Sequence, residues 1–134
     1  MNILMIDAQG GGMGRQLVAS VKKEFPQTEI TAVGTNSLAT SNMLKAGADH
    51  AATGENAVIV GCRKADLIIG PIGIAIADSM FGEITPAMAV AVGQSNARKL
   101  LIPMNQCNHV IVGVKKMSMS DMMEKVIEQL REMI

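Results

Sequence analysis

The sequence predicts an α/β fold of three layers, with a Rossmann-like, mostly parallel sheet of five or six strands and helices on both faces. Three observations predict it. Short apolar runs alternate with segments whose apolar residues recur at helical spacing, as in parallel strands joined by crossover helices. The first run, residues 3–6, is apolar throughout, which is typical of a strand covered on both faces. The 134 residues match the size of a single domain, and no repeat or linker divides them.

The first half of the chain contains three strand patterns and three helix patterns. Strands are predicted over residues 3–6, 29–33 and 48–52, and helices over residues 13–25, 37–46 and 55–64. Pro26 ends the first helix because proline cannot continue the hydrogen-bond ladder. Gly47 ends the second helix, in the position after the C-cap where glycine is favoured.

The second half is predicted to add two or three strands. These are residues 66–69, residues 100–103 and, as a sixth strand, residues 110–112. Residues 74–80 are predicted to form one or two helical turns. Thr85 as N-cap and Pro86 at the first helical position begin a helix that extends to about Ala97.

A last helix, capped by Ser118 or Ser120, closes the chain. Its apolar stripe consists of Met119, Met122, Met123, Val126, Ile127, Leu130 and Met133. We expect this stripe to pack on the sheet, and an adaptable peptide-binding face is the alternative.

Composition excludes several classes of function. Twelve basic side chains balance twelve acidic ones, and Phe25 and Phe81 are the only aromatic residues, so we expect no nucleic-acid binding. The longest apolar stretch, residues 67–77, is broken by glycine and proline and is about half the ~20 residues that a membrane span needs. The N-terminus resembles a buried strand and has neither the basic region nor the cleavage site of a signal peptide. We therefore expect a cytoplasmic protein.

Unusual residues collect in the loops that follow the predicted strands. Eight of the thirteen glycines lie there, with most of the uncharged polar residues, whereas the loops that enter the strands are ordinary solvated turns. Ligands of open parallel sheets bind at the carboxyl ends of the strands. The alternative is that small polar residues merely suit helix N-termini, although caps alone do not require so many glycines.

The loop after the first strand is the strongest functional signal. A strand, a glycine-rich turn and a helix together direct backbone N–H groups and a helix dipole at a phosphate. The predicted phosphate-binding residues are Gln9, Gly10, Gly11, Gly12, Met13, Gly14 and Arg15. Their spacing does not match G-x-G-x-x-G, because Gln9 or Arg15 stands where a glycine is required. Close packing of helix on strand is the alternative.

The loops after the second and fourth strands complete the predicted site. Thr35, Asn36 and Ser37 are expected to face a sugar, although Asn36 or Ser37 could instead cap the following helix. The acid typical of NAD sites and the arginine typical of NADP sites are both missing there, so a dinucleotide would lack its second anchor. NAD(P) and a mononucleotide are the two alternatives for the ligand. The opposite wall is predicted to consist of Gly70, Pro71, Ile72 and Gly73.

Catalytic residues are weakly indicated. Glu55, Asp78 and Glu83 could act as a general base, and Cys107 with His109 could form a nucleophilic pair. Asn56 and Asn105 lie in the same set of loops. A redox or metal site built from Cys62, Cys107 and the histidines matches no ligand spacing, so no metal site is predicted.

Five motifs together resemble those of a family of short bacterial proteins known as a domain of unknown function. They are DAQGGGMGR (residues 7–15), GTNSLAT (34–40), GENA (54–57), GPIGI (70–74) and GEITPAMA (82–89), and they span nearly the whole chain. The resemblance implies a small Rossmann-like domain and no established activity, substrate or catalytic residue. A shorter resemblance, over Gly11-Gly12-Met13-Gly14, is to the nucleotide loop of certain NAD(P)-dependent dehydrogenases.

Together these patterns predict a protein that binds a nucleotide or another small phosphorylated ligand at the glycine-rich loop. The reaction, and whether there is one, is not predicted. The alternative is a non-enzymatic sensor or a homo-oligomeric assembly module. It rests on the helix that begins at Pro86, which carries no charge before its end and whose apolar residues are not confined to one face.

Overall fold

One parallel sheet of five strands, in the order β3-β2-β1-β4-β5, organises the described chain in a computed structural model. The structure describes residues 1–104 and 109–134. The strands are β1 (Asn2–Asp7), β2 (Glu29–Gly34), β3 (His50–Thr53), β4 (Leu67–Pro71) and β5 (Arg98–Ile102). The helices are α1 (Gly12–Glu24), α2 (Ser37–Lys45), α3 (Glu55–Lys64), α4 (Pro86–Gln94) and α5 (Met119–Met133). The predicted α/β fold class is confirmed, and every strand pair is parallel.

Strand β1 is the central strand, with two strands on each side of it. Ile3 is opposite Ile30 of β2 on one side and Leu67 of β4 on the other. Successive side chains of β1 enter opposite layers: Ile3 and Met5 pack in one apolar cluster, and Leu4 and Ile6 pack in the other. The apolar sequence of this strand therefore follows from burial on both faces.

Helices cover the two faces of the sheet unequally. Helices α1, α2 and α5 bury Leu17, Met43 and Leu130 in the cluster on one face. Helices α3 and α4 bury Val58 and Val92 in the cluster on the other face. The stripe of α5 packs as predicted, and the Ser118 hydroxyl caps this helix by accepting a hydrogen bond from the Asp121 N–H at 3.1 Å.

Three predicted elements differ from the structure. The prediction of a sixth strand over residues 110–112 is wrong. Val110 and Val112 are 81% and 94% exposed, and the chain turns at Gly113, whose φ is 85°, so this segment does not join the described sheet. The one or two helical turns predicted over residues 74–80 are displaced, since one short 3₁₀ turn covers Ile72–Ala75 and non-helical turns follow it. Helix α4 ends at Gln94, before Ala97, because Ser95 is extended.

The boundaries of all five strands shift by one or two residues. The third strand begins at His50 rather than residue 48, and β5 begins at Arg98 rather than residue 100. In the described residues, no helix combines the length and the apolar character that crossing a membrane requires.

Candidate functional site

The carboxyl ends of β1, β2 and β4 bring the predicted site residues to one edge of the sheet. The chain leaves β1 towards α1 on one face and leaves β4 towards α4 on the other. The edge between β1 and β4 is therefore the topological switch point, where open α/β sheets bind their ligands.

The glycine-rich loop contains two glycines that the fold itself requires, Gly11 and Gly14, which we call the inner pair. Gly11 is the N-cap of α1 and has a left-handed backbone, with φ at 72°. A Cβ atom on Gly11 would lie 2.7 Å from the Ala39 Cα, and one on Gly14 would lie 2.6 Å from the Met43 Sδ. Close packing of α1 against β1 and α2 accounts for both glycines.

The other two glycines, Gly10 and Gly12, form the outer pair, and nothing in the fold requires them to be glycine. A Cβ atom on either residue would meet no atom within 4 Å, and neither has a positive φ. Both residues are exposed. Within residues 1–104 and 109–134, the N–H groups of Gly10, Gly12 and Met13 donate no hydrogen bond. This outer surface is therefore open to an acceptor from outside the chain.

A buried carboxylate lies beneath the loop. Asp7, the last residue of β1, is 4% exposed, and its two oxygens accept hydrogen bonds from the Ala8 N–H at 2.8 Å and the Gly14 N–H at 2.7 Å. Burial raises the pKa of Asp7 more than these hydrogen bonds lower it, and the charge of Glu83 raises it further. One of the unpaired N–H groups at the start of α1 is thus satisfied from within the protein. An acid at the end of an apolar strand is the sequence signal that could have identified this residue.

A second carboxylate ties three loops together. The Glu83 Oε1 accepts hydrogen bonds from the Gln9 N–H at 3.0 Å, the Thr35 hydroxyl at 2.6 Å and the Asn36 amide at 2.8 Å. Partial burial acts to raise the pKa of Glu83, but the hydrogen bonds from Thr35, Gln9 and Asn36 outweigh it, and the net pKa is lowered. The Glu83 carboxylate is therefore occupied by donors of the protein itself and holds the three loops together. We call Glu83 with its hydrogen bonds to Gln9, Thr35 and Asn36 the clasp.

The predicted sugar-facing residues are held by the same contacts. Besides Glu83, the Asn36 amide donates to the Gln9 carbonyl at 2.9 Å, and its oxygen caps α2 by accepting from the Ala39 N–H at 2.9 Å. Ser37 is the first residue of that helix. Thr35 and Asn36 therefore shape the rim of the site through the clasp.

The loop after β4 packs closely against neighbouring segments and leaves little free space beside it. A Cβ atom on Gly70 would lie 2.5 Å from the Ile6 carbonyl oxygen, so β1 and β4 approach closely here. The Ser79 hydroxyl donates to the Gly73 carbonyl. A cavity of about 20 Å³, lined in part by Pro71, Ile72 and Gly73, remains at this wall, which is room for about one water molecule.

Backbone strain is concentrated in the segment that carries the clasp. Asp78, Met80 and Phe81 all have positive φ, at 65°, 55° and 57°, and Gly82 follows at 84°. Such conformations cost energy in residues other than glycine and persist where the surrounding structure imposes them. Here the Asp78 N–H donates to the Ile84 carbonyl at 2.7 Å. Phe81 is left 93% exposed at the tip.

The remaining predicted catalytic residues are dispersed. Glu55 is exposed at the start of α3, beyond the edge strand β3, and Asn56 follows it. His109 lines the small cavity beside β4. Asn105 and Cys107 lie outside the described residues.

Cys62 and His50 lie away from this edge. Cys62 is buried near the end of α3, and burial raises the pKa of its thiol to about 11. His50 lies at the start of β3, where its Nε2 is 2.7 Å from the Glu29 carboxylate. Among the described residues, no three His, Cys, Asp or Glu side chains converge in a way that would hold a metal ion.

A larger cavity adjoins the first turn of α1. It has a volume of about 510 Å³ and lies between Met13, the segment after β5 and the start of α5. Its wall is formed mainly by methionines. Two of these, Met119 and Met122, belong to the stripe of α5 that is predicted to pack on the sheet.

Comparison with known proteins identifies the family. The sequence model of the family DUF3842, a domain of unknown function, matches residues 2–134. The chain therefore belongs to this family, which confirms the resemblance carried by the five motifs. Searching the curated proteins gives no match.

A solved structure shares the fold. The crystal structure of a dodecameric FMN-dependent UbiX-like decarboxylase from Escherichia coli O157:H7 superposes with a TM-score of 0.50 at 17% sequence identity. The match covers 99% of this chain and 76% of that one. At this identity the likeness is one of fold.

Proposed function

For this member of the DUF3842 family, we propose that the chain binds a mononucleotide or another small phosphate ester, with the phosphate on the outer surface of the glycine-rich loop. The observation that carries the proposal is the set of N–H groups of Gly10, Gly12 and Met13. They lack an acceptor among the described residues and stand at the start of a helix, where the macrodipole favours an anion. Arg15, exposed one turn into α1, supplies a cation.

The absence of side chains over the outer pair supports the same proposal. A phosphate oxygen approaches a backbone N–H more easily where no Cβ atom crowds it, and Gly10 and Gly12 leave that space empty. The fold gives no other reason for glycine at these two positions.

A single phosphate fits this site better than a dinucleotide. The end of β2 offers neither an acid nor a base for the second ribose, and its Thr35 and Asn36 side chains are occupied by Glu83. The FMN-dependent protein that shares the fold uses a mononucleotide, which accords with this preference.

The proposal is tested by titrating inorganic phosphate, AMP, FMN, NAD and NADP while following thermal unfolding. Binding to the native state stabilises it, by about 1.4 kcal/mol when the ligand is at ten times its Kd. Gly12→Asp places a carboxylate against the open N–H groups and is expected to abolish the stabilisation. Ala19→Asp, at an exposed position further along α1, adds the same charge away from the loop and is expected to leave it intact. No stabilisation by any phosphate compound in the unmodified protein would refute the proposal.

A second candidate function is homo-oligomeric assembly. Helix α4 buries Met88 and Val92 but leaves Val90 51% exposed on a face with no charged residue, beside a groove of about 510 Å³ between α3 and α4. The FMN-dependent UbiX-like decarboxylase that shares the fold is dodecameric. Sedimentation velocity tests this candidate, since Val90→Glu is expected to convert an oligomer to a monomer.

A further inference from the structure

The cavity beside α1 has an unusual wall. Five of the twelve methionines of the chain line it, together with one cation: Met13, Met104, Met117, Met119, Met122 and Lys116. We call it the methionine cavity. Its volume of about 510 Å³ lies within the range of small-molecule sites in proteins, roughly 300–1,000 Å³.

The methionine cavity lacks the partner that thioethers prefer. Methionine sulfur makes favourable contacts with aromatic rings, and its flexible side chain adapts to their shape. Neither Phe25 nor Phe81 lies among the residues that line the cavity. Met117 is 36% exposed, and Met104, Met119 and Met122 are only partly buried, whereas Met13 is 8% exposed. The wall is therefore accessible through these four methionines. The imidazole of His109 lies near one end of this wall, since it lines the smaller cavity beside β4 together with Met104. Among the described residues, no Phe or His side chain lines the methionine cavity itself, so an aromatic ring inside it would come from a ligand.

The methionine cavity and the proposed phosphate site share a residue. The Met13 N–H is one of the donors without an acceptor among the described residues, and the Met13 side chain forms part of the cavity wall. Lys116 lines the cavity, and Arg15 lies two residues after Met13 on α1 with its side chain exposed. A ligand whose phosphate binds the loop has an apolar, adaptable cavity immediately beside it.

We propose that the methionine cavity binds the aromatic ring of a monophosphate ester whose phosphate lies on the N–H groups of Gly10, Gly12 and Met13. The inference rests on the proposed function and names its ligand class, an aromatic ring joined to one phosphate. It also assigns Lys116 as a residue that contacts this ligand.

Methyl NMR of protein labelled with ¹³C at the methionine ε-methyl groups tests the proposal, with AMP and FMN as probes. Because the chain has only two aromatic residues, a bound ring is expected to dominate the ring-current shifts of nearby methyls. We expect upfield shifts for Met13, Met104, Met117, Met119 and Met122. Substitution of each methionine by leucine assigns its signal. Inorganic phosphate, which has no ring, is expected to leave these methyls without upfield shifts.

Two lysines provide a matched pair of variants. Lys116→Gln removes the cation that lines the cavity and is expected to weaken AMP binding about fivefold. Lys115→Gln, at the exposed neighbouring position outside the lining, is expected to change it less than about twofold.

The outcomes separate this inference from the proposed function. One contrary outcome is that Gly12→Asp abolishes AMP binding but the upfield shifts fall on Met80, which is next to Phe81. The ring would then lie on the other side of the site, and the inference would be overturned. Equal affinity of the two lysine variants, or binding without shifts of the cavity methyls, would also overturn it and leave the proposed function standing. If neither phosphate nor the two nucleotides bind, the proposed function fails and the inference with it.

Discussion

The inner and outer pairs of glycines in one loop differ in what surrounds them. Gly11 and Gly14 face Ala39 and Met43 so closely that a methyl group has no room. Gly10 and Gly12, in alternate positions of the same run, face open space. A glycine-rich motif can therefore combine positions selected by packing with positions that leave backbone accessible. Packing accounts for the inner pair, and the proposed phosphate binding concerns the outer pair.

The largest expected effect concerns the inner pair. Gly11→Ala forces alanine into a left-handed conformation and places its methyl 2.7 Å from the Ala39 Cα. We expect the free energy of unfolding to fall by about 3 kcal/mol, the sum of the backbone penalty and overpacking. Urea denaturation measures this, and a loss below about 1 kcal/mol would show that α2 moves away at little cost.

A smaller loss of stability is expected from removing the clasp, which holds the glycine-rich loop through the Gln9 N–H. Glu83→Ala removes the acceptor of hydrogen bonds from Gln9, Thr35 and Asn36 and is expected to lower the free energy of unfolding by about 1 kcal/mol. Glu55→Ala, at an exposed acid without such contacts, serves as control. Amide hydrogen exchange at Gln9 should accelerate in the first variant alone, and unchanged exchange there would mean that the clasp does not hold the loop.

The pH dependence of stability distinguishes the two carboxylates. The pKa of Asp7 is raised in the folded protein, so its contribution to stability is greatest below its ordinary pKa and is lost as the pH rises through the folded value. The pKa of Glu83 is lowered, so its contribution is present above its ordinary pKa and is lost as the pH falls through the folded value. Asp7→Asn removes the first dependence. The stability of the unmodified protein relative to this variant should therefore fall as the pH rises from the ordinary pKa of Asp7, near ~4, which urea titrations at successive pH values would measure.

The smallest effect is expected at the outer pair. Gly12→Ala meets no neighbour and keeps an ordinary backbone, so the free energy of unfolding should change by less than about 0.5 kcal/mol. Paired with Gly11→Ala, it compares the two halves of the loop by the same chemical change in adjacent residues. If Gly12→Ala lowered the free energy of unfolding as much as Gly11→Ala does, the inner and outer pairs would not differ as we infer.

Local signals in the sequence were sufficient for most of the fold. The uninterrupted apolar run of β1 identified a central strand, Thr85 with Pro86 located the start of α4, and the stripe of α5 identified the face that packs on the sheet. Each of these signals lies within one element, so no knowledge of distant contacts was needed. The apolar run at residues 110–112 misled because strand formation depends on a neighbouring edge and Gly113 turns the chain.

The candidate site was only partly accessible from the sequence. The enrichment of glycines after the strands located the edge, because parallel strands bring their carboxyl ends together. The role of Glu83 as a clasp was not foreseen, since its partners Gln9 and Asn36 are 74 and 47 residues away. The methionine cavity was missed for a similar reason, as its wall joins Met13 at the start of α1 to residues 103–104 and 116–122.

The amino-acid sequence by itself determined the class of fold, the places where most helices begin and end, and the edge of the sheet that holds the unusual residues. Periodicity, caps and turns are short-range properties, and they are written in consecutive residues. Only the tertiary structure decided which glycines are packed and which are open, and which polar groups are already satisfied. Those properties depend on atoms that the chain brings together across long separations, and no local pattern records the distances between them.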